Sequence, residues 1–232
     1  MRKKQELCLE TVLSRQRKRK QGSGYEKFET FPLTEGSGTY TISIFENVKD
    51  NMYSTAFTKQ ISVNMKDPNS TFLYPNQFCS FNRSTKAVKT GDELVKDITD
   101  TIEKVEAVYK YAVENISYDY QKAKHVQSGY LPNVDDTLQT KKGICFDYSA
   151  LMTAMLRTQN IPTKLVIGYS GSAYHAWISV YTDEQGWIDN AIHFDGESWT
   201  FMDPTFASGG KDDEKVTEYI NNPTNYIAKF SY

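Results

Sequence analysis

The chain has 232 residues, 39% hydrophobic and 24% charged, with a formal net charge of −2. That balance fits a soluble globular protein with one or two domains, and it gives no reason to expect nucleic acid or an anionic membrane as a partner of the whole chain. No window has the apolar length of a transmembrane helix, and the basic N-terminus lacks the apolar run of a secretory signal.

Residues 1–24 read as a basic tail, with Arg15-Gln16-Arg17-Lys18-Arg19-Lys20 followed by Gly22-Ser23-Gly24. Residues 25 to about 66 read as β. Thr39 to Ile44, Tyr53 to Phe57 and Ile61 to Met65 alternate, with turns at Gly36-Ser37-Gly38 and Lys49-Asp50-Asn51. Three or four strands are few for a free-standing sandwich, so 25–85 reads as part of a β-domain plus a Pro/Asn/Ser-rich connection over 67–85.

From residue 86 the period changes to helical, and 86–232 read as a second domain. Thr90-Gly91-Asp92-Glu93 has the form of a capping box for a short helix. Asp100-Thr101-Ile102-Glu103 opens a longer one, with Ile102, Val105, Tyr109, Ala112 and Val113 on one face. Residues 121–140 read as irregular. A third helix starts at Cys145, buries Tyr148, Leu151, Met152, Met155 and Leu156, and stops at Asn160-Ile161-Pro162. Strands are expected at 164–169, 175–181 and 198–202, with a shorter one near Trp187. Helices first and antiparallel strands after give an α+β domain.

Three cysteines, Cys8, Cys79 and Cys145, match no zinc spacing and no disulfide framework. Cys79 reads as a small buried hydrophobe and Cys8 as an exposed tail thiol. Cys145 differs. At a helix N-terminus, free backbone N–H groups and the helix dipole favour a thiolate, and the same N–H groups can receive an oxyanion. Gly143 before it leaves room for a substrate backbone. His175 stands on a strand whose Ala176, Ile178 and Val180 form the apolar face. Asp203 ends a strand before Pro204, where its carboxylate can fix an imidazole's tautomer. His175 follows Cys145 by roughly 30 residues, far less than the papain-type spacing, which excludes that family.

Gly143-Ile144-Cys145-Phe146-Asp147, Leu156-Arg157, Asn160-Ile161-Pro162, His175-Ala176-Trp177 and Asp203-Pro204-Thr205 occur in this order. Over 86 to about 208 the chain resembles the transglutaminase-like superfamily. The resemblance implies a papain-like α+β core, with Cys145 as nucleophile, His175 as acid and base, and Asp203 as orienting carboxylate. It implies acyl transfer or hydrolysis on peptide or glutamine side-chain amides through a thioester, with a protein or peptide substrate and a secreted or envelope-attached, bacterial setting. The other reading is a catalytically silent scaffold that binds peptides or glycans. Asn160 replaces the usual turn glycine and tolerates the same positive φ. No phosphate loop or metal cluster is visible, so no cofactor and no metal are expected. A substrate cleft is expected along Tyr130, Tyr174 and Trp177, with the Cys145 N–H as one oxyanion donor and Tyr118 or Gln139 as the second. Asp147 is expected to stabilise the helix start rather than carry protons.

Overall fold

The computed structural model describes residues 5–9, 30–189, 191–194, 199–201 and 225–232, and the side chains of 30–189 and 225–232. The chain divides into two compact units, residues 1–28 with 33–68 and residues 29–32 with 69–232.

In the first unit, β2 (Gly38–Lys49) and β3 (Met52–Val63) form an antiparallel hairpin, and β1 (Gln5–Leu9) lies parallel to β2 within the segment read as a tail. The hairpin turns at Asp50, which takes the left-handed conformation that aspartate tolerates. The Asn47 amide donates to the Asp50 carbonyl at 2.7 Å. The strands expected at 53–57 and 61–65 are one strand. Thr58-Lys59-Gln60 contains no breaker, and Phe57 to Val63 pair with Ile44 to Gly38 without a shift of register.

The second unit begins with α1 (Lys86–Val95), α2 (Thr101–Asn115), β4 (Ser117–Tyr118), α3 (Tyr120–His125), α4 (Val134–Thr140), β5 (Lys142–Gly143) and α5 (Cys145–Thr158). Strands β6 (Thr163–Ser170), β7 (Ala173–Thr182), β8 (Gly186–Ile188), β9 (Ala191–Phe194), β10 (Trp199–Phe201) and β11 (Tyr226–Ser231) follow. An antiparallel sheet runs in the order β11-β6-β7-β8, and β9 pairs with β10. Among the described residues no helix is long and apolar enough to cross a membrane.

The core forms where α5 meets the sheet and the other helices. Tyr148, Leu151, Met152, Met155 and Leu156 are fully buried with Leu165, Ile167, Ala176, Ile178 and Val180. Burying each large side chain of that stripe contributes about 1.5–3 kcal/mol. Ser149, Thr153 and Arg157, polar residues on another stripe of α5, are buried as well. The expected connection over 67–85 is what covers it. The Cys79 thiol donates to the Ala150 carbonyl at 3.3 Å, and Phe72 and Asn76 are buried. Arg157 donates to the carbonyls of Tyr74 at 2.6 Å, Thr163 at 2.9 and 2.7 Å, and Tyr232 at 2.6 Å. A buried guanidinium is tolerated because main-chain oxygens surround it.

Helix starts show what the sequence carries locally and what it does not. The Asp100 carboxylate caps α2 through the N–H groups of Ile102 and Glu103, as expected. Helix α1 begins four residues before the expected capping box, so Thr90 and Gly91 lie in its interior. Its cap comes from another helix, since the Asp135 carboxylate accepts from Lys86 N–H and Ala87 N–H. Gly91 is a packing residue, because a Cβ there would lie 2.9 Å from the Met155 Cβ. The segment read as irregular holds α3 and α4, whose short lengths bury too few side chains to show a period. Asp119 and Asn133 cap them. Asn160 has the expected positive φ, 61°.

Candidate active site

Cys145 is the first residue of α5 and is partly exposed. The first N–H groups of a helix have no partner within it, so this end offers donors to a ligand. The turn before it is held from both sides. The Gly143 carbonyl accepts from Asp119 N–H at 2.9 Å, part of the short parallel pairing of β4 with β5. The Asp147 carboxylate reaches back to accept the Ile144 N–H at 2.8 Å. Asp147 thus supports the helix start as expected.

That carboxylate is 0% exposed and carries two more partners. The Lys122 ammonium lies 2.7 Å from Oδ2, and the Tyr130 hydroxyl donates to Oδ1. Lys122 also donates to the Tyr130 hydroxyl at 2.6 Å and sits 4.4 Å from that ring's centre. Burial disfavours the Lys122 ammonium, but its bonds to Asp147 and Tyr130 outweigh that and raise its pKa. Burial, then the bond to Asp147, pushes the Tyr130 hydroxyl up to about 12. Gly143 has a reason different from the one the sequence suggested. A Cβ there would lie 2.6 Å from the Asp147 Cβ, so the glycine makes room for the aspartate rather than for a substrate.

His175 lies on β7. His175 is 7% exposed and lies beside Trp177, ring centres 6.3 Å apart and planes 28° apart. By strand alternation the two share the face opposite Ala176 and Ile178. Trp177 is 4% exposed and packs edge-on against Tyr226, so it lies in the packed wall beside His175. Tyr174, next to His175, is 62% exposed and meets Tyr169 edge-on at 5.5 Å. Partial desolvation raises the Tyr174 pKa, and the nearby charges of Tyr169 and Cys145 raise it further. Tyr118 is partly buried and meets Tyr120 edge-on at 4.9 Å, while Gln139 is exposed on α4. Asp203 lies outside the described residues. Cys79 is buried, as expected, and burial pushes its thiol up to about 12. Among the described residues no three His, Cys, Asp or Glu side chains gather as metal ligands would.

Residues 88–204 match the sequence profile of the transglutaminase-like superfamily core. The chain belongs to the transglutaminase-like superfamily. Its curated relatives include a UPF0252 protein of Methanocaldococcus jannaschii, 31% identical over 147 residues, or 58% of this chain and 39% of the relative. A protein-glutamine gamma-glutamyltransferase of Pseudomonas aeruginosa is 34% identical over 70 residues, or 24% of this chain and 10% of the relative. The periplasmic domain of TgpA from Pseudomonas aeruginosa superposes with a TM-score of 0.47 at 22% identity, covering 66% of this chain and 52% of that one. The chain thus spans less than half the length of these curated relatives.

Within the transglutaminase-like core, Lys122 is the site-forming residue that sequence reasoning missed. It lies 25 residues from its carboxylate partner, and a lysine in a polar segment has no local signature of an ion pair. Tyr130 was read as a cleft residue, and its hydroxyl is committed to Asp147.

Proposed function

We propose that this protein is a cysteine-dependent acyl-transfer enzyme acting on peptide or glutamine side-chain amides. Cys145 is the nucleophile, His175 the general base and acid, and Asp203 the carboxylate that orients the imidazole. The observation that carries this reading is the placement of Cys145, a partly exposed thiol on the first residue of a buried helix, after a turn tied down on both sides.

In this mechanism the Cys145 sulfur attacks the amide carbon while His175 takes the thiol proton. The oxyanion forms against the Cys145 N–H. Collapse expels ammonia or an amine, which leaves with the proton from His175. Water or an acceptor amine then attacks the thioester and restores the thiol. Tyr174 flanks the entering chain. A secreted or envelope setting accompanies this reading.

The test is incubation of the full chain with a peptide library and a labelled primary amine, read by mass spectrometry. Amine incorporation or peptide cleavage that disappears in Cys145→Ala and His175→Ala supports the proposal. Equal product from wild type and Cys145→Ala sinks it.

A further inference from the structure

The bonds beneath Cys145 join three separate chain segments at one carboxylate. Lys122 comes from α3, Tyr130 from the loop before α4, and Asp147 from the first turn of α5. Helix α3 buries none of its residues, so its packing does not account for where Lys122 points. The Lys122 side chain is 31% exposed and lays its ammonium against a carboxylate that has no access to water. Withdrawing that ammonium from water costs free energy, and a neutral helix-capping side chain would accept the Ile144 N–H without any buried charge. The ionic arrangement has a different merit. A charged acceptor makes a shorter and stronger bond to a backbone N–H than a neutral one does. Here that bond fixes Ile144, the residue joining Gly143 to Cys145, while the Gly143 carbonyl is fixed from the β4 side.

We propose that Lys122 is a positioning residue for acylation. Its ammonium, paired with the buried Asp147 carboxylate, holds the Ile144–Cys145 backbone so that the Cys145 N–H meets the developing oxyanion. This rests on the assignment of Cys145 as nucleophile. Lys122 touches neither substrate nor thiol, and it acts through Asp147 and the Ile144 N–H.

Two small reagents separate the positioning role from a merely structural one. Iodoacetamide alkylates a thiolate by displacing iodide, and no oxyanion forms. p-Nitrophenyl acetate acylates the same sulfur through a tetrahedral oxyanion, releases p-nitrophenolate and leaves an acetyl thioester. Both rates are measured on the full chain at the alkaline plateau of each profile, so that thiol ionisation drops out, and modification of Cys145 is confirmed by peptide mapping. Because losing an oxyanion donor outright costs 10²–10³-fold, a displaced one is expected to cost about tenfold. Lys122→Met should therefore slow acylation about tenfold and leave alkylation within about twofold, and Lys122→Arg should restore most of the acylation rate. If Lys122→Met fails to fold, Lys122→Gln, which keeps a donor and loses the charge, carries the same comparison.

Equal slowing with both reagents, or no slowing with either, overturns the positioning role while Cys145 stands. If wild type and Cys145→Ala release p-nitrophenolate equally, the nucleophile assignment fails and the proposal falls with it.

Discussion

Replacing Asp147 by asparagine exchanges one carboxylate oxygen for an NH2 group at the most heavily bonded side chain beneath Cys145. The carboxylate accepts the Ile144 N–H at 2.8 Å, the Lys122 ammonium at 2.7 Å and the Tyr130 hydroxyl. An asparagine keeps one acceptor oxygen and turns two N–H donors toward an ammonium or a phenol. If the oxygen stays at the Oδ2 position it still accepts from both Ile144 and Lys122, but it carries no charge, so the ion pair is lost, and charge-assisted bonds contribute about 1.5–3 kcal/mol; the amide nitrogen then replaces Oδ1, the acceptor of the Tyr130 hydroxyl. Breaking a fully buried ion pair costs about 3–5 kcal/mol. That upper range does not apply here, because Lys122 is 31% exposed on its side chain and its freed ammonium can reach water. The expected loss is therefore about 2–3 kcal/mol, larger than the modest effect that a surface helix-start carboxylate would have. Urea unfolding followed by tryptophan fluorescence measures it as a lower midpoint at unchanged slope. Alkylation of Cys145 by iodoacetamide should stay within a few-fold, since Asp147 holds the turn and takes no proton in the reaction. A stability change below about 0.5 kcal/mol, the range of an ordinary surface substitution, would refute the reasoning.

Three further outcomes follow from other parts of the fold. Arg157→Leu should cost about 1–3 kcal/mol in urea unfolding, because the buried Thr163 carbonyl loses the guanidinium that donates to it, while the Tyr232 carbonyl keeps the Leu165 N–H. A loss under about 1 kcal/mol would show that water replaces the guanidinium. Tyr130 is raised in the folded state, so its contribution is fully present below the unfolded tyrosine value and is lost as pH rises from about 10 toward about 12. Tyr130→Phe should flatten part of the stability decline across that window, and an unchanged decline would assign it wholly to other groups. Cys79, fully buried and pushed up to about 12, should resist iodoacetamide in the folded protein at neutral pH and react once urea unfolds it. Labelling of Cys79 at the rate of Cys145 would contradict its burial.

Much of the fold was legible because its signals are local. Asp100 caps its own helix, α5 starts at Cys145, and Asn160 takes the positive φ of the turn glycine it replaces. The strand around His175 showed its two faces, and 164–169 was expected as a strand. Signals that cross the chain were not legible. The cap of α1 is Asp135, 48 and 49 residues from the N–H groups it receives. Strand β11 mixes exposed Ile227, Ala228, Lys229 and Phe230, a run with no clean alternation to mark it. Gly143 looked like space for a substrate because sequence shows that a Cβ is missing but not which atom fills the gap. Of the candidate site, the helix start at Cys145 and the strand carrying His175 were readable, and the Lys122–Tyr130–Asp147 contacts at the start of α5 were not.

The covering of α5 bears on where this domain can be cut. The profile match spans 88–204, yet the side of the central helix carrying Ser149, Thr153 and Arg157 is closed by residues outside that span. Cys79 and Tyr74 reach it from before the match, and Tyr232 from after it. A fragment trimmed to the matched residues would contain Cys145, His175 and Asp203 but would open a hydroxyl-lined, cationic stripe along the helix that carries the thiol. Such a fragment should be loosely packed, and its poor activity would reflect the cut rather than the catalytic residues. A fragment meant to keep that side of the helix closed should begin before Phe72 and keep β11.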